Sequence, residues 1–128
     1  MIQLGVRSPS KPRSAHAFGL DPFRWVQAGW LDLLVVGPRW STVELDMPLR
    51  TWRERLSGSS CVLAGGLEIL RGDHPMAPKR PVTAAEARGA AAQVLDDGAD
   101  AVYPFNYFPS ADPTTMPDAW PQGVAVNW

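Results

Sequence analysis

Apolar residues along the chain fall in four short runs that are nearly continuous rather than alternating with polar residues. Runs of this kind are typical of strands that are covered on both faces, as in parallel sheets. The pattern therefore predicts four buried strands, at residues 2–6, 31–36, 61–67 and 100–108.

Three segments between these strands carry helical signals. Asp21 and Gly29 are suited to begin and end the first helix. The third helix is the most clearly marked, since Thr83 opens the capping box TAAE and Gly98 follows an alanine-rich run. The apolar stripe on that run comprises Ala87, Ala90, Ala91, Val94 and Leu95. The predicted helices are residues 22–28, 48–57 and 83–97.

The alternation of strand and helix is the rhythm of a parallel α/β fold built from βαβ units. Connections from helix to strand are short, whereas those from strand to helix are long, at residues 7–20, 37–47 and 68–82. Parallel α/β folds place functional sites in the loops after the carboxyl ends of strands. We therefore expect functional residues at that edge of the sheet. Asp32 and Asp100, at strand entrances, are expected to cap turns at the opposite edge.

Composition narrows the class of protein. With 128 residues, 45% hydrophobic and 20% charged, the chain suits a globular domain over residues 1–108 and a proline-rich tail over residues 109–128. A net charge of −1 and a pI of about 6.1 give no electrostatic footprint for nucleic acid or an anionic membrane. The basic residues Arg7, Lys11 and Arg13 are interspersed with prolines and are predicted to lie in a solvated loop.

Compartment and cofactors follow from what the sequence lacks. No apolar stretch approaches the ~20 residues of a membrane span, and the first ten residues do not form a signal peptide, which predicts a cytoplasmic protein. The single cysteine, Cys61, lies in an apolar run and is predicted to be a core residue. His16 and His74 are far apart, and no Gly-rich phosphate loop follows a strand, so neither a metal site nor a cofactor is predicted.

One carboxylate, Glu68, ends the apolar stretch CVLAGGLEIL. Gly65 and Gly66 precede it and allow close approach of another backbone or of a ligand. Buried, or held by a neighbouring arginine, such a carboxylate suits general acid, general base or nucleophile chemistry. The alternative from the residues alone is a structural glutamate that faces solvent or pairs with a loop arginine.

Four further side chains at the same edge are candidates for substrate binding. Arg7 follows the first predicted strand and is suited to position Glu68 or the substrate. Trp40 either stacks on a sugar ring or forms a lid over the core. Asn106 either orients a substrate hydroxyl or satisfies loop backbone, and Tyr107 lies beside it.

Several blocks of the sequence resemble a known family. They are LGVRSPSKP, GLDPFRWVQAGWLDLLVVGPRW, MPLRTWRERL, AGGLE and TAAEARGAAAQVLDDGADAVYPFNYF, and they span about residues 2–108. These blocks are similar to the C-terminal half of the (β/α)8 barrel of family-ten-like glycosyl hydrolases. The resemblance implies half of a TIM-type barrel, with four parallel strands and three helices.

The same resemblance implies a role for Glu68. In glycoside hydrolases with this fold, the nucleophile lies at the end of the seventh strand, to which the third predicted strand corresponds, and the acid/base lies at the end of the fourth. The fourth strand has no counterpart here, and retaining hydrolysis needs two carboxyl groups about 5–5.5 Å apart. The candidates from this chain for the second acid are Glu44, Asp46 and Asp73.

We therefore expect a barrel segment that hydrolyses glycosidic bonds of a carbohydrate and contributes one acid to the site. Four parallel strands leave two open edges, which predicts pairing with a second copy or with a separate N-terminal half. Two alternatives stay open. One is a barrel remnant that binds carbohydrate or a partner without catalysis, and the other is an α/β domain that binds a small phosphorylated metabolite through Arg7.

Overall fold

The computed structural model describes residues 2–38, 45–72, 74 and 76–105, which form six strands and four helices. The strands are β1 Gly5–Pro9, β2 Leu33–Gly37, β3 Val62–Glu68, β4 Leu70–Arg71, β5 Arg80–Pro81 and β6 Ala101–Phe105. The helices are α1 Pro12–Ala17, α2 Pro22–Gln27, α3 Leu49–Arg55 and α4 Ala84–Asp96.

Four of the strands form one parallel sheet in the order β1-β2-β3-β6. Each successive strand is added on the same side of the previous one, so right-handed crossovers place the connecting helices on one face. This confirms the predicted α/β class, with parallel βαβ units arranged as in half of a TIM-type barrel.

The first strand lies further along the chain than predicted. Its pairing with β2 runs from Gly5 opposite Leu33 to Pro9 opposite Gly37, whereas Ile2 is exposed. The apolar run at residues 2–6 misled the prediction because β1 is an outer strand, and partner contact rather than hydrophobicity sets its position. Arg7 is therefore a strand residue.

Two connections contain structure that the sequence pattern did not predict. The connection at residues 7–20 holds helix α1, which starts at Pro12, and the connection at residues 68–82 holds the small antiparallel pair β4–β5. The predicted loop is wrong for Arg7, which lies in β1, and for Arg13, which lies in α1, whereas Lys11 is exposed in the connection and pairs with Asp46. Elements of six and two residues are too short to show a hydrophobic period.

The predicted helix signals of the longest helix, α4, are confirmed. Thr83 Oγ1 accepts the Glu86 backbone N–H at 3.3 Å, and Glu86 Oε2 accepts the Thr83 backbone N–H at 2.9 Å, which completes the capping box. The chain leaves the helix through Gly98, whose φ of 101° is unfavourable for other residues. Within the predicted apolar stripe, Leu95 is an exception, with 47% of its surface exposed.

The core lies between the sheet and the helices. Alternate residues of the two central strands share one buried cluster with Trp52 of α3 and Val94 of α4. Gly65 lies on the same face, where an added Cβ would collide with Val94 Cγ1, so α4 packs directly on the backbone of β3. The strand residues of this cluster are Leu34, Val36, Leu63 and Leu67. In the described part of the chain, no helix has the length and apolar character needed to span a membrane.

Candidate functional site

The candidate site lies on the face of the sheet that is turned away from the helices. Side chains alternate between faces along a strand, so Val35 and Ala64 point opposite to the core residues beside them. Arg7 is in register with Val35 and shares this face. Further along β3, Glu68 is in register with Phe105 of β6, at the carboxyl edge of the sheet.

Glu68 is buried at that edge and is paired with an arginine. Its side chain is 3% exposed, and Arg7 Nη2 donates a hydrogen bond to Glu68 Oε1 at 3.2 Å. The two residues are 61 positions apart in sequence. An anionic carboxylate that is shielded from water needs such a partner, because an unpaired buried charge is strongly destabilising.

Arg7 makes two further contacts across the sheet. Its Nη2 atom donates to the Pro38 carbonyl oxygen at 2.9 Å, and its Cζ atom lies 3.6 Å from the centre of the Phe105 ring. Side chains stand roughly perpendicular to a sheet, yet Arg7 of β1 reaches a ring of β6 across two intervening strands. The sheet is therefore curved, with the Arg7–Glu68 pair on its concave face.

Two glycines bring the central strands together beneath this pair. A Cβ added at Gly66 would lie 3.3 Å from the Val36 carbonyl oxygen, and one added at Gly37 would lie 3.2 Å from the Gly66 Cα atom. Side chains at either position would push β2 and β3 apart. Gly66 therefore gives the close backbone approach predicted from the sequence, while Gly65 gives close approach to a helix instead.

The remaining sequence candidates fall into two groups. Asp46 lies in the described chain, paired with Lys11 and with its side chain 71% exposed, and His74 is exposed as well. The other candidates lie outside the described residues: Trp40, Glu44, Asp73, Asn106 and Tyr107. Of the predicted site residues, the structure thus brings together Arg7 and Glu68.

Phe105 and the Pro38 carbonyl group belong to the site but were not among the predicted residues. Phe105 lies in the aromatic stretch YPFNYF, which the apolar pattern assigned to a strand. An aromatic ring at the end of a strand, on the face that carries a charged pair, is the signal that would have indicated it. A backbone carbonyl has no sequence signal, because every residue supplies one.

The opposite edge of the sheet has the structural carboxylates expected there. Asp32 Oδ2 accepts the Leu4 backbone N–H at 2.8 Å, and Asp100 Oδ2 accepts the Leu63 backbone N–H at 2.8 Å. Cys61 is buried at the same edge, as predicted, and burial raises the pKa of its thiol above 9.0, which disfavours a nucleophilic thiolate. Within the described ranges, no group of three His, Cys, Asp or Glu side chains could hold a metal ion.

No protein-family model matches the chain, and no curated protein matches it at a significant level.

Proposed function

We propose that this chain is a glycoside-hydrolase-like barrel segment in which Glu68 is the nucleophile, or the electrostatic partner of an oxocarbenium-like transition state. The observation that carries the proposal is the buried Glu68 carboxylate at the carboxyl edge of the sheet, held by Arg7 on the concave face. That edge is where barrels of this type carry out their chemistry. The family resemblance gives Glu68 the same role.

The reaction assigns a task to each residue. A Glu68 carboxylate oxygen attacks the anomeric carbon, the bond from that carbon to the leaving oxygen breaks, and an acid protonates the leaving oxygen. Water then hydrolyses the glycosyl ester and restores the carboxylate. Arg7, bound to Glu68 Oε1, orients the carboxylate, and Trp40, Asn106 and Tyr107 bind the sugar.

The acid is proposed to come from outside the described site. Asp46, the described candidate from this chain, is engaged by Lys11 at the surface. The parallel sheet has β1 and β6 as its outer strands in the described part of the chain. A second copy, or a separate N-terminal half, would pair with these strands, extend the barrel and supply the second carboxylate.

A fluorosugar with an excellent leaving group tests Glu68 without the missing acid. A 2,4-dinitrophenyl 2-deoxy-2-fluoroglycoside releases dinitrophenolate unaided, and its glycosyl-enzyme ester is slow to hydrolyse. Incubation of the chain with a panel of such glycosides should add one fluoroglycosyl group, and peptide mass spectrometry should locate it on Glu68. Glu68→Gln should abolish the labelling, since an amide is not a nucleophile at this position.

Asp46→Asn is the matched control, because it removes a carboxylate at the same edge and should leave the labelling unchanged. Labelling at another carboxylate, or equal labelling of Glu68→Gln, would contradict the nucleophile assignment. Sedimentation equilibrium tests the pairing in parallel. A monomer at all concentrations, with no binding of a hydrophobic dye, would argue against an open edge that pairs.

A non-catalytic remnant that binds carbohydrate or a partner is the second candidate. Arg7 of β1 favours it, because its contacts with Glu68, Pro38 and Phe105 link β1 to the carboxyl ends of the other three strands and would stabilise that edge without any chemistry. Sugar binding that persists in Glu68→Gln, with no labelling in the unmodified chain, would select this candidate.

A further inference from the structure

A second concave feature lies among the helices, away from Glu68. It is a pocket of about 290 Å³ lined by α1, α2 and α3 and by the short connection between the first two. No strand residue belongs to its described lining. Its apolar lining includes Leu20 and Phe23, its guanidinium groups are those of Arg13 and Arg55, and His16 lies beside them.

Arg55 lies over an aromatic ring of this pocket. Its Cζ atom is 5.0 Å from the centre of the Phe23 ring, and that ring lies 4.8 Å from the ring of the fully buried Trp52. A cation above an aromatic face is attracted by the negative charge density of the ring. The Phe23 ring therefore favours a position of the exposed guanidinium group beside the apolar lining.

The donors of the pocket are available for a ligand. Within the described residues, neither Arg13 nor Arg55 forms an ion pair or donates a hydrogen bond to a protein acceptor. The carboxylate in the described lining, Asp21, already accepts the Arg24 backbone N–H at 3.2 Å as the cap of α2. Two guanidinium groups beside an apolar lining match the chemistry of an organic anion.

We propose that this pocket binds a small organic anion. Its carboxylate or phosphate group lies between Arg13 and Arg55, and its apolar body packs against Leu20 and Phe23. The site is independent of the proposed glycosidase chemistry, since it shares no residue with the Arg7–Glu68 pair.

Titration of the ¹⁵N-labelled chain with benzoate and with phenyl phosphate tests the site by NMR. Both should shift backbone signals of residues 12–23 and of Arg55, with a Kd on the order of 1 mM for ligands of this size. The ligand with the lower Kd identifies the preferred anion. Raising the salt concentration should weaken the binding of both anions, because the contact is partly exposed and ionic. Benzyl alcohol, which has the ring without the charge, should shift these signals weakly.

Variants separate a specific site from general attraction to positive charge. Arg55→Gln keeps the Cβ–Cγ–Cδ stem and a polar end but loses the charged guanidinium, and it should weaken benzoate binding by about fivefold or more, as should Arg13→Ala. Arg88→Ala, which removes an exposed charge from α4, is the matched control and should leave Kd unchanged. Circular dichroism of each variant verifies its folding.

Three results would overturn the proposal. The first is no shift at about 20 mM of either anion. The second is that benzyl alcohol shifts the signals as much as benzoate does. The third is that Arg88→Ala loses as much affinity as Arg55→Gln or Arg13→Ala. The fluorosugar labelling of Glu68 reads out at a different residue, so failure of one proposal leaves the other intact.

Discussion

The two edges of the parallel sheet use carboxylates in different ways. At the amino edge, Asp32 and Asp100 each stand directly before a strand. Asp32 accepts the N–H of Leu4, just before β1, and Asp100 accepts the N–H of Leu63 in β3. At the carboxyl edge, Glu68 is buried and binds the side chain of Arg7. The first arrangement holds adjacent strands in register, whereas the second joins strands that are not adjacent.

The difference separates structural carboxylates from the candidate for chemistry. The side chain of Asp100 is 48% exposed, and it accepts a backbone N–H. Another hydrogen-bond acceptor at that position could replace part of this function. Glu68 faces the concave side, where a ligand would approach. A carboxylate that is buried on such a face, rather than used for a cap, is the better candidate for catalysis.

Among the variants that compare the two edges, removal of Arg7 should have the largest effect on stability. Arg7→Met leaves Glu68 buried without its guanidinium and should lower the free energy of unfolding by about 2–3 kcal/mol, less than for a fully buried pair because Arg7 is 33% exposed. Adding Glu68→Leu should restore most of that loss, since an apolar pair has no charge to desolvate. Urea unfolding measures both.

Arg88→Met, on the exposed face of α4, is the control for loss of a positive charge and should change little. If the double variant is no more stable than Arg7→Met alone, the cost of removing Arg7 does not come from its ion pair with Glu68. The Arg7–Glu68 pair would then be a structural contact, like the carboxylate contacts of the amino edge.

Loss of an amino-edge carboxylate should have a smaller effect. Asp100→Ala removes the acceptor of the Leu63 N–H and the ion pair with Arg53, and should cost about 1–2 kcal/mol of unfolding free energy. Asp32→Ala removes the acceptor of the Leu4 N–H and should cost about 0.5–1 kcal/mol. Thermal and urea unfolding should rank them in that order.

Asp100→Asn distinguishes the backbone contact from the ion pair, because its amide oxygen still accepts the Leu63 N–H. Asp100→Asn should lose less than half of the unfolding free energy that Asp100→Ala loses. If Asp32→Ala were the more destabilising, the larger cost predicted for Asp100→Ala from its additional ion pair with Arg53 would be contradicted.

The smallest effect on stability is expected for Glu86. This carboxylate lies beside the carboxyl edge but caps helix α4. Hydrogen bonds from Thr83 to Glu86 hold the pKa of that carboxyl below its ordinary value of 4.5. The unfolded chain therefore binds the proton more tightly, so the contribution of Glu86 to stability is present above about pH 4.5 and is lost as pH falls through the lower folded-state pKa. Melting temperatures between about pH 6 and about pH 3 should fall less steeply for Glu86→Gln. Parallel curves for the two proteins would contradict this assignment.

The amino edge was more predictable from the sequence than the carboxyl edge. Asp32 and Asp100 need only their position before a strand to find a backbone donor, and that position is visible in the apolar pattern. Helix α1 was not predicted because it lacks the capping side chain that marked α2, a helix of the same length. The β4–β5 pair was not predicted because strands of two residues show no period. The start of β1 was misplaced because pairing with β2 overrides local hydrophobicity at an outer strand.

The sequence by itself determined the order of the four strands of the parallel sheet and of helices α2, α3 and α4, the edge at which long connections lie, and the place of Glu68 at the end of a buried strand. These follow from local patterns of a few residues. Only the tertiary structure decided that Arg7 would contact both Glu68 and Phe105. That contact depends on the register of four strands and on the curvature of the sheet, which are collective properties of packing between residues distant in sequence.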